Sequence, residues 1–219
     1  MKVTTLLGSA NKKGNTATAL GWVEAELASL GHEVERVTLN NKSIHGCLGC
    51  AKCRENPDDI DCIQNDDAQD IMERMILSDG VLFASPIYFW GFTAQTKLLI
   101  DRCFSLVTNY RQPGHTSLMS GKRVALLVTG GDAFEQNAEG MFTAFERFSD
   151  FLLAKKQGGL YLGNSTFLKS VLLFTHPKYA VFGWLRISKV HDPTKLIALA
   201  LNQLSALFVQ YPEYRIGLV

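Results

Sequence analysis

The sequence predicts an α/β protein built on one open, doubly wound sheet of five parallel strands, with helices on both faces. Short β-rich runs alternate with amphipathic helical segments, as successive βαβ units require. Three of those runs end in loops of ligand-binding type: GSANKKGNT at Gly8 to Thr16, SPIYFWG at Ser85 to Gly91 and TGGD at Thr129 to Asp132. In an open α/β sheet the loops leaving the carboxyl ends of parallel strands face one edge, so segments far apart in sequence can form the walls of one phosphate-and-ring site.

The elements follow in order. Val3 to Leu7 is a short β-rich run ending at Gly8. Leu20, Val23, Leu27 and Leu30 then recur at helical spacing up to Gly31, a residue suited to the position just past a helix end. His32 to Leu39 alternates Val34 and Val37 with polar residues, a strand near the sheet edge. Asp66 or Asn65 can cap a helix whose Ala68, Ile71, Met72, Met75 and Ile76 make one apolar face. Val81 to Ala84 is a buried strand, Phe92 to Val107 a third helix, Val124 to Thr129 a fourth strand and Ala138 to Ala154 a fourth helix. Gly159 to Leu162 is a weaker fifth strand. Asp192 and Pro193 open a last helix from about Thr194 to Phe208, an N-cap followed by proline at the first position. Parallel strands with right-handed crossovers give a three-layer α/β/α sheet in the flavodoxin-like order 2-1-3-4-5.

Composition narrows the function classes. A chain of 219 residues, 47% apolar and 20% charged, supports one full-sized core and gives no reason to divide residues 1–219 into two domains. With 22 basic against 21 acidic residues and a net charge of +1, no bulk electrostatic term favours nucleic acid or an anionic membrane. The opening MKVTTLLGSA is too short in its apolar run for a signal peptide, and no later run reaches spanning length, so a cytoplasmic location is expected.

The first loop is neither the phosphate loop of the NTPases nor the three-glycine dinucleotide fingerprint. It offers the short donors Ser9, Asn11, Asn15 and Thr16 around Gly14, beside backbone amides at a helix N-terminus where the dipole favours an anion. That suits a phosphomonoester held without metal; the alternative is an ordinary strand-to-helix turn capped by Asn15. The second loop, Pro86, Ile87, Tyr88, Phe89, Trp90 and Gly91, places aromatic rings where loops are usually polar. Its backbone amides can meet the edge of a flat heterocycle while rings pack against it. For a single aromatic here, core or subunit-interface contact is the competing role. Thr129, Gly130, Gly131 and Asp132 supply two glycines able to pass close to the same ring, or a flexible turn.

With these segments in view, the chain resembles the NADPH-dependent FMN reductase group of flavodoxin-like proteins, in the branch that includes the iron–sulfur flavoproteins. The matching stretches are GSANKKGNT, GCLGCAKC, CIQNDDAQDI, SPIYFWGFTAQTKLLIDR and TGGD, in the family's order over the first two-thirds of the chain. The resemblance implies that Ser9, Asn11, Asn15 and Thr16 hold the FMN phosphate, Pro86 to Trp90 line the isoalloxazine, and Gly130 and Gly131 approach its other side. Gln95, Asp101 and Arg102 match a family segment and read as helix anchoring or dimer contact. NAD(P)H would be the cosubstrate and a quinone, free flavin or other small molecule the electron acceptor. Flavin carries hydride chemistry on its own ring, so no acid–base side chain is singled out. Flavodoxin-like reductases commonly dimerise, so a homodimer or homotetramer is expected. Lys12 and Lys13 read as a solvated loop face.

Cys47, Cys50, Cys53 and Cys62 form C-x2-C-x2-C-x8-C after the second strand, in a cysteine-rich loop at about 43–65. In a cytosolic chain a metal, a cluster or redox-active thiols are the candidates. Compact all-cysteine spacing suits an iron–sulfur cluster, a 4Fe-4S cluster being the candidate cofactor, better than it suits zinc with its paired two-plus-two pattern. The alternative is free or reversibly oxidised thiols in a loop covering the flavin. With a cluster, the chain would instead relay electrons between a ferredoxin-like donor and FMN. Cys103 reads as a buried residue of the third helix, and His45 as an exposed loop residue or surrogate ligand. His32, His115, His176 and His191 show no partner pattern. An apolar insertion at about 164–190, with VLLF and AVFGWL, needs cover. A subunit interface is preferred, and membrane-surface attachment through Trp184 with Lys169, Lys178, Arg186 and Lys189 is second.

Overall fold

The computed structural model of the protein describes residues 1–54, 59–110, 113–163 and 170–174. Strand β1 (Lys2–Leu7) leads through α1 (Asn15–Ser29) to β2 (Glu33–Thr38), and a long connection then reaches α2 (Asp67–Leu77). β3 (Gly80–Pro86) feeds α3 (Ala94–Arg102), which tightens into a 3-10 turn at Cys103–Leu106 before a small antiparallel ladder of β4 (Val107–Thr108) and β5 (Thr116–Ser117). β6 (Arg123–Thr129), α4 (Glu139–Phe151), β7 (Lys155–Gly163) and β8 (Ser170–Phe174) follow.

The main sheet runs β2-β1-β3-β6-β7-β8. Its first five strands are parallel, which is the expected flavodoxin-like order. β8 adds an antiparallel sixth strand, Gly159 pairing with Phe174 and Gly163 with Ser170. Ser170–Phe174 falls inside the stretch read as an apolar insertion. The rest of that insertion, the helix expected from about Thr194 to Phe208, His176 and His191 lie outside the described residues.

The period-two geometry of strands sorts the core into two layers. Val3, Leu7, Leu82, Ala84, Ala125, Leu127, Leu160 and Leu162 meet Leu20, Val23 and Leu27 of α1. From the alternate positions, Leu6, Val81, Phe83, Leu126 and Val128 meet Ile71, Met72 and Met75 of α2, Leu99 of α3 and Phe145 of α4. The Phe83 ring meets Phe145 and Phe148 edge-on, each at 5.5 Å. Leu30 drops out of this pattern: it is the C-cap of α1 and nearly half exposed, ahead of Gly31 at φ +80.

Helix limits follow local chemistry. Asp66 caps α2 by accepting from the Ala68 amide at 3.0 Å, an interaction of the order of 1 kcal/mol. α3 begins two residues later than expected because Thr93 caps it through the Thr96 amide. It ends at Arg102, so Cys103 sits in the 3-10 turn, buried as expected, with burial pushing its thiol up to about 12.

Candidate functional site

The three ligand-type loops meet at the carboxyl ends of β1, β3 and β6. The Gly8 amide donates to the Ala84 carbonyl at 2.8 Å and the Ile87 amide to the Thr129 carbonyl at 2.9 Å. The hydroxyls of Thr16 and Thr129, 113 positions apart, lie 2.7 Å from each other in a buried contact. Segments from the first, second and third loops are thus fastened into one edge.

In the first loop Ser9 is buried, and its Oγ accepts from the Asn11 amide at 3.2 Å. Asn11 Oδ1 accepts from the Lys13 amide at 3.0 Å. These short-range bonds curl the chain into α1, whose N-cap, Gly14, gives no side-chain cap, and no acidic residue occupies the first turn. A helix start so built leaves its partial positive charge for an external anion. Lys12 and Lys13 are exposed, the solvated face expected of them.

Two buried threonines missed by the sequence reading hold this loop. The Thr93 hydroxyl donates to the Gly8 carbonyl at 2.7 Å and accepts from the Thr96 hydroxyl at 2.9 Å. Thr96 fills the space beside Gly8 so fully that a Cβ there would fall 1.9 Å from its Oγ1. The Thr93 amide also bonds Ser85 Oγ at 3.3 Å, tying the first loop to the second. The available signal was a threonine just before an apolar helical pattern.

In the second loop Tyr88 and Gly91 exchange both backbone hydrogen bonds, at 3.0 and 3.1 Å. Between them Phe89 and Trp90 have φ of +48 and +60. A two-residue turn of this kind needs φ > 0 at both positions and ordinarily carries Asn or Gly. Here the strain falls on two aromatic residues that are also far from buried, Phe89 at 95% and Trp90 at 65% exposure. Strain combined with exposed apolar surface makes this turn a candidate binding edge. Neither ring enters the core, which removes the core role weighed for them.

The third loop is braced from beneath. The Tyr161 hydroxyl donates to the Asp132 carbonyl at 2.7 Å and accepts from Asn137 Nδ2 at 2.8 Å. Gly130 leaves room for it: a Cβ would meet that hydroxyl at 2.4 Å and Ile87 Cδ1 at 3.1 Å. Gly131 is exposed, with nothing within 4 Å of its added Cβ. Burial raises the Tyr161 pKa, so the phenol remains a neutral donor.

The cysteines occupy a separate recess. Cys47, Cys50, Cys53 and Cys62 line a cavity of ≈ 450 Å³ closed by Asp101, Arg102, Phe104 and Ser105 at the C-terminal end of α3. Burial, then the neighbouring Cys62, Cys47 and Cys50, push the Cys53 thiol up. Among the described residues all cysteines are free thiols, and no three His, Cys, Asp or Glu side chains converge tightly enough for a single ion. Four thiols around one cavity are the donor set that an iron–sulfur group takes. His45 is outside the cavity lining, its ring Nδ1 lying 3.2 Å from Asp66.

Of the residues read as anchors, Gln95 bonds Asn40 at 3.2 Å and Asp101 pairs with Lys97 at 2.6 Å on the surface. Arg102 differs: it is 1% exposed and pairs at 2.6 Å with the equally buried Asp66. Burial acts to lower the Arg102 pKa, but the Asp66 and Cys62 side chains beside it raise it further, so it remains a cation. For Asp66, burial would push the carboxyl up, yet Arg102 and the His45 and Ala68 amides outweigh it and hold it at about 2.

Comparison with known proteins agrees with this architecture. An iron–sulfur flavoprotein of Archaeoglobus fulgidus is 36% identical over 122 residues, 56% of this chain and 51% of that protein. The chain thus spans about half the length of the curated relatives it matches most strongly. Among solved structures, the azoreductase from Bacillus anthracis superposes with a TM-score of 0.64 at 13% identity, covering 95% of this chain and 98% of that one. The NAD(P)H:quinone oxidoreductase from Methanothermobacter marburgensis gives 0.59 at 15% identity, covering 95% and 97%. At such identities these superpositions establish the flavodoxin-like fold. The model of the NADPH-dependent FMN reductases matches residues 1–146, the span that contains all three loops and the four cysteines, and the chain belongs to that family.

Proposed function

We propose that this chain is an FMN-dependent NAD(P)H oxidoreductase that passes electrons from a nicotinamide cofactor to a quinone, flavin or other small acceptor. The observation that carries it is the fastening of three loops at one sheet edge, above all by the Thr16 to Thr129 contact at 2.7 Å. The uncapped start of α1, with Ser9, Asn11, Asn15 and Thr16, would receive the FMN phosphate. The backbone of Pro86 to Gly91 and of Thr129 to Asp132 would flank the ring. When bound, FMN supplies a ring that accepts hydride and gives electrons on. The protein's part is to orient that ring and present one face to solvent: the Tyr161 and Thr93 braces hold the loops, and the strained turn sets Phe89 and Trp90 at the opening. The flavin reductase relatives support NAD(P)H as the donor, and the proposal takes residues 1–219 as one domain.

A second reading rests on the thiol cavity: Cys47, Cys50, Cys53 and Cys62 would hold a 4Fe-4S cluster, making the chain a relay between a ferredoxin-like donor and FMN. A homodimer is part of the proposal, the exposed Phe89 and Trp90 being apolar surface that a second copy would cover. Among the described residues no helix is long and apolar enough to cross a membrane. The experiment is purification without oxygen followed by addition of NADPH or NADH. Flavin absorbance that bleaches rapidly supports the reductase, and broad brown absorbance with iron and sulfide supports the relay. A colourless chain that takes up no FMN would sink both.

A further inference from the structure

Arg102 is the least expected residue of the thiol cavity. It lines the cavity, is 1% exposed, and carries five N–H donors in a rigid fork. One arm goes to Asp66 at 2.6 Å and to the His45 carbonyl at 3.2 Å, and the other to the Gln64 carbonyl at 3.3 Å. His45 and Gln64 each stand two residues from a cavity cysteine, Cys47 and Cys62. Gln64 closes the ring from the other side, donating from its amide to the Gly46 carbonyl at 3.0 Å. The remaining edge of the fork, Nε–H, is buried and meets no acceptor among the described residues, with the Cys62 side chain beside the guanidinium. An orphaned donor in a cation at 1% exposure is costly unless something it faces accepts it.

We propose that Arg102 is a positioning residue for an iron–sulfur group held by Cys47, Cys50, Cys53 and Cys62, clamping the two cysteine-bearing segments and supplying a fixed positive charge at the cavity wall. This rests on the relay reading of the four cysteines. A four-thiolate cluster carries net negative charge, and one-electron reduction adds one more. A fixed guanidinium in a medium of low dielectric stabilises the reduced form more than the oxidised form. The protein-bound couple is then easier to reduce with Arg102 in place. The Asp66 carboxylate keeps the guanidinium ionised and oriented, while its own charge is absorbed by the His45 and Ala68 amides.

The test compares wild type, Arg102→Lys, Arg102→Gln and the double variant Asp66→Asn/Arg102→Gln. All are prepared without oxygen, reconstituted with iron and sulfide, and titrated with dithionite in the presence of redox mediators. Iron and sulfide per chain, the midpoint potential and the rate of iron loss to a chelator are read, with bound FMN as the check on folding. The double variant removes the partner charge with the cation, so it avoids burying a lone carboxylate. Arg102→Gln is expected to shift the ratio of oxidised to reduced cluster at fixed potential at least tenfold towards oxidised, about 59 mV for a one-electron couple. The double variant shifts the same way by less. Arg102→Lys restores the potential but not the clamp, and loses iron to the chelator faster than wild type. Unchanged potential and chelator rate in iron-loaded variants would overturn the proposal while leaving the cysteine ligands standing. A wild type that takes up neither iron nor sulfide overturns the cysteine reading itself, and this proposal with it. If both glutamine variants fail to fold, Arg102→Lys decides: a wild-type chelator rate there overturns the clamp.

Discussion

The two ends of α3 serve two regions built on different principles. At its N-terminus Thr93 joins a wall made of backbone: glycines, small hydroxyls and amide hydrogen bonds among three loops. At its C-terminus Arg102 joins a recess made of side chains, four thiols around a cavity whose wall holds the buried Arg102, itself paired with Asp66. Arg102 is the last of the nine residues of the helix that Thr93 caps, roughly 13 Å of rise along it. The contrast teaches where each region is fragile. A backbone wall fails when a side chain intrudes, and a side-chain recess fails when a charge loses its partner.

The largest expected effect breaks the recess. Asp66→Ala removes the α2 cap and leaves Arg102 buried without its counter-ion, at a cost of about 3–5 kcal/mol in urea unfolding. FMN affinity should change far less, because among the described residues the hydrogen bonds of the pair go to His45, Gln64 and Ala68. A large loss of FMN affinity in protein still folded would erase the distinction between the two regions.

Next comes intrusion into the wall. Gly130→Ala places a Cβ against the Tyr161 hydroxyl, whose bonds to Asp132 and Asn137 hold the third loop. Overpacking of this kind costs about 1–3 kcal/mol, and FMN binding is expected to weaken at least tenfold. Gly131→Ala, with open space around its Cβ, should leave stability within about 0.5 kcal/mol of wild type. Equal destabilisation by the two alanines would contradict the bracing described for Gly130.

The recess also predicts an acid response of similar or smaller size. The Asp66 carboxyl is held at about 2 against an ordinary 3.8, so its stabilising contribution is fully present above the ordinary value and is lost as pH falls from about 4 to about 2. The loss is of the order of 2 kcal/mol, and Asp66→Asn should remove that part of the acid dependence. An unchanged acid profile in the variant would contradict the stabilising role given to the Asp66 carboxylate.

The smallest effect runs in the opposite direction. Replacing Phe89 with Asn and Trp90 with Gly relieves two left-handed aromatic residues and should stabilise the fold by about 1 kcal/mol, read as a melting temperature higher by roughly 2–4 °C. Turnover with a quinone or flavin acceptor should fall in the same variant. A stabilised variant with undiminished turnover would make the turn a structural accident.

The same contrast explains what was legible in the sequence. The wall is encoded locally, because glycines and short donors at strand ends are required by backbone conformation and space. Gly8, Gly14, Thr16, Gly130 and the Pro86 to Gly91 run therefore stand out in one dimension. The cysteines are equally visible from their spacing. Their setting is not, because Arg102 resembles any arginine near the end of a helix, and only the fold brings Asp66 to it across 36 positions. Thr93 and Tyr161 were missed for the same reason, their partners lying 85 and 29 positions away. β8 was missed because SVLLF lacks the alternation that marks a half-buried strand.

The proposed FMN site is formed by the three loops and does not depend on the cysteines. It is tested most directly by FMN fluorescence titration of the apoprotein, of Gly130→Ala, and of a variant with Cys47, Cys50, Cys53 and Cys62 all replaced by serine. Quenching at one FMN per chain, retained in the serine variant and weakened at least tenfold in Gly130→Ala, is the predicted result. Failure of the wild type to bind FMN, or equal loss of binding in the serine variant, would contradict it.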